Sequence, residues 1–299
     1  MIALPPSVTV TEAIQQLAGN VTVWSTPSVA DRLRALVPWT VRTDAPSLSD
    51  ADWLLAVGGG KLIDQAKVLR EEHPQLKLAA LPTLWGSGAE ASPIAVLNVD
   101  GKKVIRMEPK LLPDVIVSHP GFAETLPPQL IKHACGDAWS HALEGFLSPL
   151  GTEETRADLA TVMKRMLQQP IGYSDAWFEL SALACSGQAK ASVGLVHGIA
   201  HTLESIIGWG HAKLCSIILL PVMSFNQTRS PKWPFLAEHG LDDVIVMNVL
   251  RQLFKSASYA EALPVLKENW MEVLRDPCSR TNSALVRPAD IEFFESFKS

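Results

Sequence analysis

The stretch Trp53–Val57 reads WLLAV and runs without interruption into Gly58-Gly59-Gly60. An unbroken apolar run of this length describes a buried strand, the kind found inside a parallel sheet rather than at its rim. The glycines, followed by the helical pattern of Lys61–Glu71, make that strand end at a strand-to-helix junction. A unit of this kind needs parallel neighbours and short helical crossovers. The sequence supplies them. Val21–Ser25 (VTVWS), Thr40–Thr43 and Leu76–Leu81 read as strands, and Ser28–Val37 as an amphipathic helix with Ser28 as its N-cap. Val8–Ala18 reads as a short helix or a strand–helix start. Ile94–Asn98 and Lys103–Met107 flank Asp100-Gly101, a hairpin signal, and Leu112–Val117 adds a further strand.

Beyond about Gly121 the pattern turns helical. Leu130–Phe146, Glu153–Leu167, Ser174–Ala189, Val193–Ile207, Leu214–Met223, Asp242–Ser256 and Tyr259–Leu274 carry helical spacing, with Pro127-Pro128 and Pro170 as punctuation. The expected organisation is an α/β nucleotide-type half over residues 1–120 and an all-helical half over 121–299. At 299 residues and 47% hydrophobic content, the chain can build a core for each. A net charge of −5, without a basic run, argues against nucleic acid or an anionic membrane as partner. No apolar run reaches membrane-spanning length and no leader pattern opens the chain, so a cytoplasmic protein is expected. The four cysteines are scattered with no CxxC, which reads as reduced, buried thiols.

Four motifs carry the chemistry. GGGKLIDQAK (58–67) places glycines where a backbone can approach a pyrophosphate, at a helix N-terminus with free N–H groups. It is not GxGxxG, and a tight turn needing positive φ is the competing explanation. PTLWGSGAE (82–90) suits a second loop over a cofactor, with hydroxyls at Thr83 and Ser87. GDAWSHALE (136–144) puts Asp137 and His141 four residues apart on one helix face. HGIAHTLESIIGWGH (197–211) puts His197 and His201 on one face, and Gly208 and Gly210 break the helix before His211. One carboxylate with several imidazoles suits Zn²⁺ or Fe²⁺. Spacing leaves open which of His197 and His201 is the ligand. HGIAH is not HExxH, since Gly198 stands where a metalloprotease has its glutamate. His73, His119, His133 and His239 lack such company and read as surface or loop residues.

In this order the four motifs resemble the iron-containing (group III) alcohol dehydrogenase family and its glycerol dehydrogenase relatives, from about Val21 to Met223. The resemblance implies a dehydroquinate synthase-like fold, an α/β nicotinamide-nucleotide domain followed by a helical metal domain. It implies Asp137, His141, His197 and His211 as metal ligands, with His201 beside the substrate as the catalytic residue. It places the cofactor on Gly59, Gly60, Lys61 and Asp64, with Lys67 in the following turn, and on Thr83, Ser92 and Lys103. Lys61 resembles the glycerol dehydrogenase version of the loop, whereas His141 resembles the alcohol dehydrogenase version of the metal site. The family's acidic residue after the first strand is absent, with Thr26 about there, which leaves both NAD and NADP open.

The function implied is a metal-dependent, NAD(P)-linked alcohol dehydrogenase or aldehyde reductase acting on a small alcohol or aldehyde, with Fe²⁺ or Zn²⁺, and with a homodimer allowed. TEETR after the metal helix also resembles phosphonoacetaldehyde reductases, and Ser25-Thr26-Pro27 resembles maleylacetate reductases. The chain is short for the family, so a relative that binds nucleotide or metal without turnover is the non-enzymatic alternative.

Overall fold

The computed structural model describes residues 2–99 and 102–297; the hairpin tip read at Asp100-Gly101 lies outside the described residues. The chain forms two compact units, one from Ala3 to Leu126, the other from Pro127 onward joined by Ile2.

The first unit runs β1 (Ser7–Thr9), α1 (Val10–Gln16), β2 (Val21–Ser25), α2 (Pro27–Arg34), β3 (Val41–Arg42), β4 (Trp53–Gly58), α3 (Gly60–Glu71), β5 (Lys77–Pro82), β6 (Ile94–Val99), β7 (Lys102–Met107) and β8 (Val115–Ser118). Six strands pair in parallel in the order β1-β8-β5-β4-β2-β3, while β6 and β7 form a separate antiparallel ribbon. All of β4 is buried, as its apolar run requires. Leu55 and Val57 pack with Val29, Ala30 and Leu33 of α2, and Leu54 and Ala56 with Leu62 and Ala66 of α3. Helix α2, with Ala13 of α1, therefore covers one face of the sheet and α3 the other, the doubly wound arrangement. The connection out of β2 moves one way along the sheet, to β3, and the connection out of β4 moves the other way, to β5. The carboxyl ends of β2 and β4 thus form a topological switch point, where open α/β sheets bind ligands.

Ser28 is not the N-cap. Helix α2 begins at Pro27 with Thr26 as its cap, because proline's fixed φ and missing N–H suit the first helical position.

The second unit contains α4 (Pro128–Leu147), α5 (Glu153–Met166), α6 (Ala176–Ala189), α7 (Leu195–Ile207), α8 (His211–Arg229), α9 (Phe235–Glu238), α10 (Asp243–Phe254), α11 (Ser258–Glu268), α12 (Trp270–Arg275), α13 (Pro277–Arg280) and α14 (Ile291–Ser296). Every residue of α4 from Ala134 to Leu147 is buried, so this helix is the axis of the unit, packed against α5, α6 and α8. The single helix read over Tyr259–Leu274 is broken at Asn269. That side chain donates to the Val265 carbonyl at 2.9 Å, closing α11, and the same residue starts α12. The break before His211 follows the glycines. Gly208 is left-handed (φ 73°) and closes α7, and Gly210 caps α8, whose first residue is His211. Among the described residues no helix is long and apolar enough to cross a membrane.

Candidate metal centre and nucleotide cradle

Three helices of the second unit deliver the cluster. Helix α4 carries Asp137, His141 and Glu144 at i, i+4 and i+7 on one face. Helix α7 carries His197 and His201, and α8 opens with His211 and carries Cys215 one turn later. The approach of α4 to α8 is set by Gly136, where a Cβ would lie 2.7 Å from the Ser216 Cα. No side chain fits between the two backbones there, and Asp137 is the next residue.

Ligand atoms of Asp137, His197, His211 and Cys215 all lie within 4.8 Å of one another. The His197 and His211 Nε2 atoms are each 3.9 Å from Asp137 Oδ1. The His141 ring lies beside this group, its centroid 4.7 Å from that of His197. His201 stacks on His211 at 5.6 Å between centroids. Asp137 Oδ1 and His197 Nε2 are buried and have no hydrogen-bond partner among the described residues. They face each other across a gap too long for a hydrogen bond. Two orphaned, buried polar atoms are costly unless something joins them. A divalent cation at about 2.0–2.2 Å from each spans that gap. The donor set therefore fits a metal ion. Burial, with the neighbouring His211 and His201, holds His197 well below the usual imidazole range, which favours the neutral form that metal ligation requires.

A supporting shell fixes the imidazoles. His197 Nδ1 donates to Glu144 Oε2 at 2.7 Å, and Glu144 Oε1 accepts from the Val196 N–H at 2.6 Å. Burial pushes Glu144 up to about 7, against the pull of the backbone N–H groups around Gly194–His197. His201 Nδ1 lies 3.3 Å from Asp276 Oδ2. Glu144, Cys215, Asp276 and Cys278 were not singled out from the sequence. Only Glu144 left a signal there, its place on the helix face of Asp137 and His141. All four cysteines are buried thiols as read, yet Cys215 and Cys278 sit inside the histidine cluster. Among the histidines read as surface or loop, His239 is held at both ring nitrogens, by the Phe235 carbonyl and Glu153.

In the first unit, Gly59 caps α3 with φ −79°, and none of Gly58, Gly59 and Gly60 has positive φ. The turn-geometry explanation of the triple glycine therefore fails. Close approach explains it instead. A Cβ on Gly60 would meet Ser87 Oγ at 2.5 Å, whereas one on Gly59 would meet nothing within 4 Å among the described residues. Gly59 and Lys61 line a groove of about 290 Å³ with Trp24, Ser25, Thr26 and Gln65, at the switch point. Thr83 donates its N–H to the Gly58 carbonyl, which places the second loop beside the first. Asp64 and Lys67 face inward. Lys67 is fully buried and donates to Asp64 and to the Ile94 carbonyl, and Asp64 also accepts from the Val96 N–H. Ser92 is buried and caps the turn into β6, and Lys103 sits on β7 opposite Asn98. Of the residues read as cofactor contacts, Gly59 and Lys61 share the groove, Gly60 and Thr83 adjoin it, and Asp64 braces α3 against β6.

An open parallel sheet with a glycine-lined switch point, followed by helices that gather a carboxylate and imidazoles, defines a two-unit protein with a nucleotide-type cradle and a metal-type centre. Known proteins resemble this chain in sequence and in fold. Residues 44–120 match the family model described as iron-containing alcohol dehydrogenase. The chain is 31% identical over 192 residues to maleylacetate reductase 2 of Cupriavidus pinatubonensis, covering 61% of this chain and 53% of that one. It is 26% identical to a probable alcohol dehydrogenase of Salmonella typhimurium, covering 88% and 80%. Among solved structures, sulfoacetaldehyde reductase from Bifidobacterium kashiwanohense in complex with NAD⁺ superposes with a TM-score of 0.79 at 18% identity, covering 100% and 99%. The chain is similar over these stretches to iron-containing alcohol dehydrogenases. It spans about half the length of several curated relatives that it matches.

Proposed function

We propose that this protein is a metal-dependent, NAD(P)-linked alcohol dehydrogenase/aldehyde reductase. The observation that carries the reading is the pair of orphaned, buried atoms, Asp137 Oδ1 and His197 Nε2, facing each other at 3.9 Å. Asp137, His141, His197 and His211 hold the cation, and its chemistry when bound is to polarise the substrate oxygen for hydride exchange with a nicotinamide. Iron and zinc both suit one carboxylate with imidazoles. Gly59, Gly60 and Lys61 receive the dinucleotide phosphates at the α3 N-terminus, where dipole and free N–H groups favour an anion. Thr83, Ser92 and Lys103 belong to the same cofactor side, and Asp64 holds the loop's helix in place. The groove residues include Lys61 and no carboxylate. Nothing there repels a 2′-phosphate, which supports use of NADPH as well as NADH. His201 exchanges the proton of the substrate hydroxyl, a task suited to imidazole near neutral pH.

The test has two stages. Metal analysis of the wild-type and Asp137→Ala proteins is expected to show one equivalent and none. Small aldehydes are then offered with NADPH or NADH, with Fe²⁺ or Zn²⁺ restored anaerobically, and oxidation of the cofactor is followed by absorbance. An Asp137→Ala protein that keeps its metal refutes the ligand set. Cofactor that quenches the tryptophans but is never oxidised points instead to a binder without turnover.

A further inference from the structure

The sequence motifs stop at His211, but the cluster does not. The segment 276–282 is clasped onto α7 along its length. Thr281 Oγ1 donates to the Val193 carbonyl at 2.6 Å, and the Leu195 N–H reaches Asn282 Oδ1 at 3.3 Å. A Cβ on Gly198 would lie 2.1 Å from Ser279 Oγ and 3.2 Å from the Ser279 nitrogen. This glycine, three residues before His201, lets α13 lie directly on α7.

The clasp brings one carboxylate to His201. Asp276 Oδ1 accepts from the Cys278 N–H at 2.8 Å, which caps α13, and Oδ2 is left to face His201 Nδ1 at 3.3 Å. His201 and Cys278 are buried, and the Asp276 side chain retains 15% of its exposure. The Cys278 thiol is the other neighbour of Nδ1, at 3.9 Å. A thiol is a weak acceptor beside a carboxylate.

We propose that Asp276 is the positioning residue of His201: its carboxylate keeps the proton on Nδ1, so that Nε2 is the atom that exchanges a proton with the substrate oxygen. An ionised carboxylate only accepts, so the pair requires Nδ1–H, and the tautomer follows from that. The lone pair is then on the opposite edge of a ring that stacks on His211. On alcohol oxidation Nε2 takes the hydroxyl proton, and on aldehyde reduction it returns that proton to the oxygen. The inference rests on the proposed role of His201.

Asp276→Asn separates function from folding. Asparagine caps α13 as well as aspartate does, through the same oxygen. Its amide N–H₂ then faces Nδ1, and donor meets donor unless the imidazole moves its proton to Nε2. The readout is ¹⁵N NMR of histidine-labelled protein, zinc-loaded and metal-free, with the His201 signals assigned by their loss in His201→Ala. The wild-type protein is expected to show the Nδ1–H form and Asp276→Asn the Nε2–H form. In the same variant kcat should fall roughly 10–100-fold, with KM and bound metal unchanged, and Asp276→Glu should recover part of the loss. An unchanged tautomer in Asp276→Asn overturns the proposal. So does a second equivalent of zinc that Cys278→Ala removes, because His201, Asp276 and Cys278 would then be a ligand set. Full activity in His201→Ala refutes the underlying role of His201, and is recognised because the tautomer still follows Asp276.

Discussion

Replacing Glu144 by Gln tests the proposed metal centre through a residue outside the proposed ligand set. In the native arrangement both glutamate oxygens accept, one from His197 Nδ1 and one from the Val196 N–H. Glutamine has the same shape but only one acceptor oxygen. Whichever way its amide turns, one of the two donors meets another donor. Leaving a buried donor unpaired costs about 1–3 kcal/mol. If His197 yields, by moving its proton to Nε2, it stops being a ligand. The expected loss of metal affinity is therefore about 10–100-fold, or roughly 1.4–2.7 kcal/mol. Metal-free stability should change less, because glutamine also relieves the burial of a carboxylate. Chelator competition measures the affinity, and melting with and without Zn²⁺ measures the two stabilities. An Asp137→Ala protein gives the reference for a centre with a ligand missing. Native affinity in Glu144→Gln, with the melting temperature lowered equally in both metal states, would make Glu144 a packing residue and refute the reasoning.

The glycines and a buried acid give sharper tests of the rest. Gly59→Ala should leave stability within about 1 kcal/mol of wild type, because the backbone is allowed and the added Cβ meets nothing. The same variant should raise the cofactor KM at least about tenfold if the phosphates lie on that face; an unchanged KM excludes Gly59 from the cradle. Gly136→Ala should destabilise the second unit by about 1–3 kcal/mol or more, since the new Cβ meets the Ser216 backbone. Urea unfolding near the wild-type midpoint would contradict it. Glu90 is raised to about 7 by burial, against the pull of its own N–H and Lys67. Its folded form binds a proton that the unfolded form has lost, so its share of stability is full below pH 4.5 and is lost as pH rises to 7. Glu90→Gln should then gain up to roughly 3 kcal/mol at pH 8 and nothing at pH 4, measured by urea unfolding; an equal effect at both pH values removes the acid as the cause.

The scaffold was legible because its signals are local. An apolar run such as WLLAV must be buried, and the glycine after it must meet either a neighbour or a ligand, whatever lies elsewhere. The helix that carries Asp137 and His141 announces itself in the same way, since periodicity places both on one face. Boundaries were less legible where a single residue decides them. Pro27 moved a cap from Ser28, and the Asn269 side chain broke a helix whose apolar spacing continues through it.

What the sequence hid were partners separated along the chain. Glu144 and His197 are 53 residues apart, and His201 and Asp276 are 75 apart. No periodicity joins such pairs. The packing that joins them passes residues without a side chain, Gly194, where a Cβ would lie 3.0 Å from Glu144 Oε1, and Gly198 between α7 and α13. These glycines read in sequence as gaps in a helical pattern. In the fold they are where helices touch, and each adjoins or nearly adjoins a histidine or carboxylate of the cluster. At both contacts a buried imidazole meets its carboxylate beside a position that carries no side chain. By that reasoning Gly198→Ala should act on Asp276 before it acts on His197. The added Cβ pushes Ser279, and with it the cap that Asp276 makes on Cys278, while the His197–Glu144 bond lies on the other partner of α7. Loss of kcat with retained metal is the expected result, and loss of metal with retained Nδ1–H on His201 is the result that would refute it.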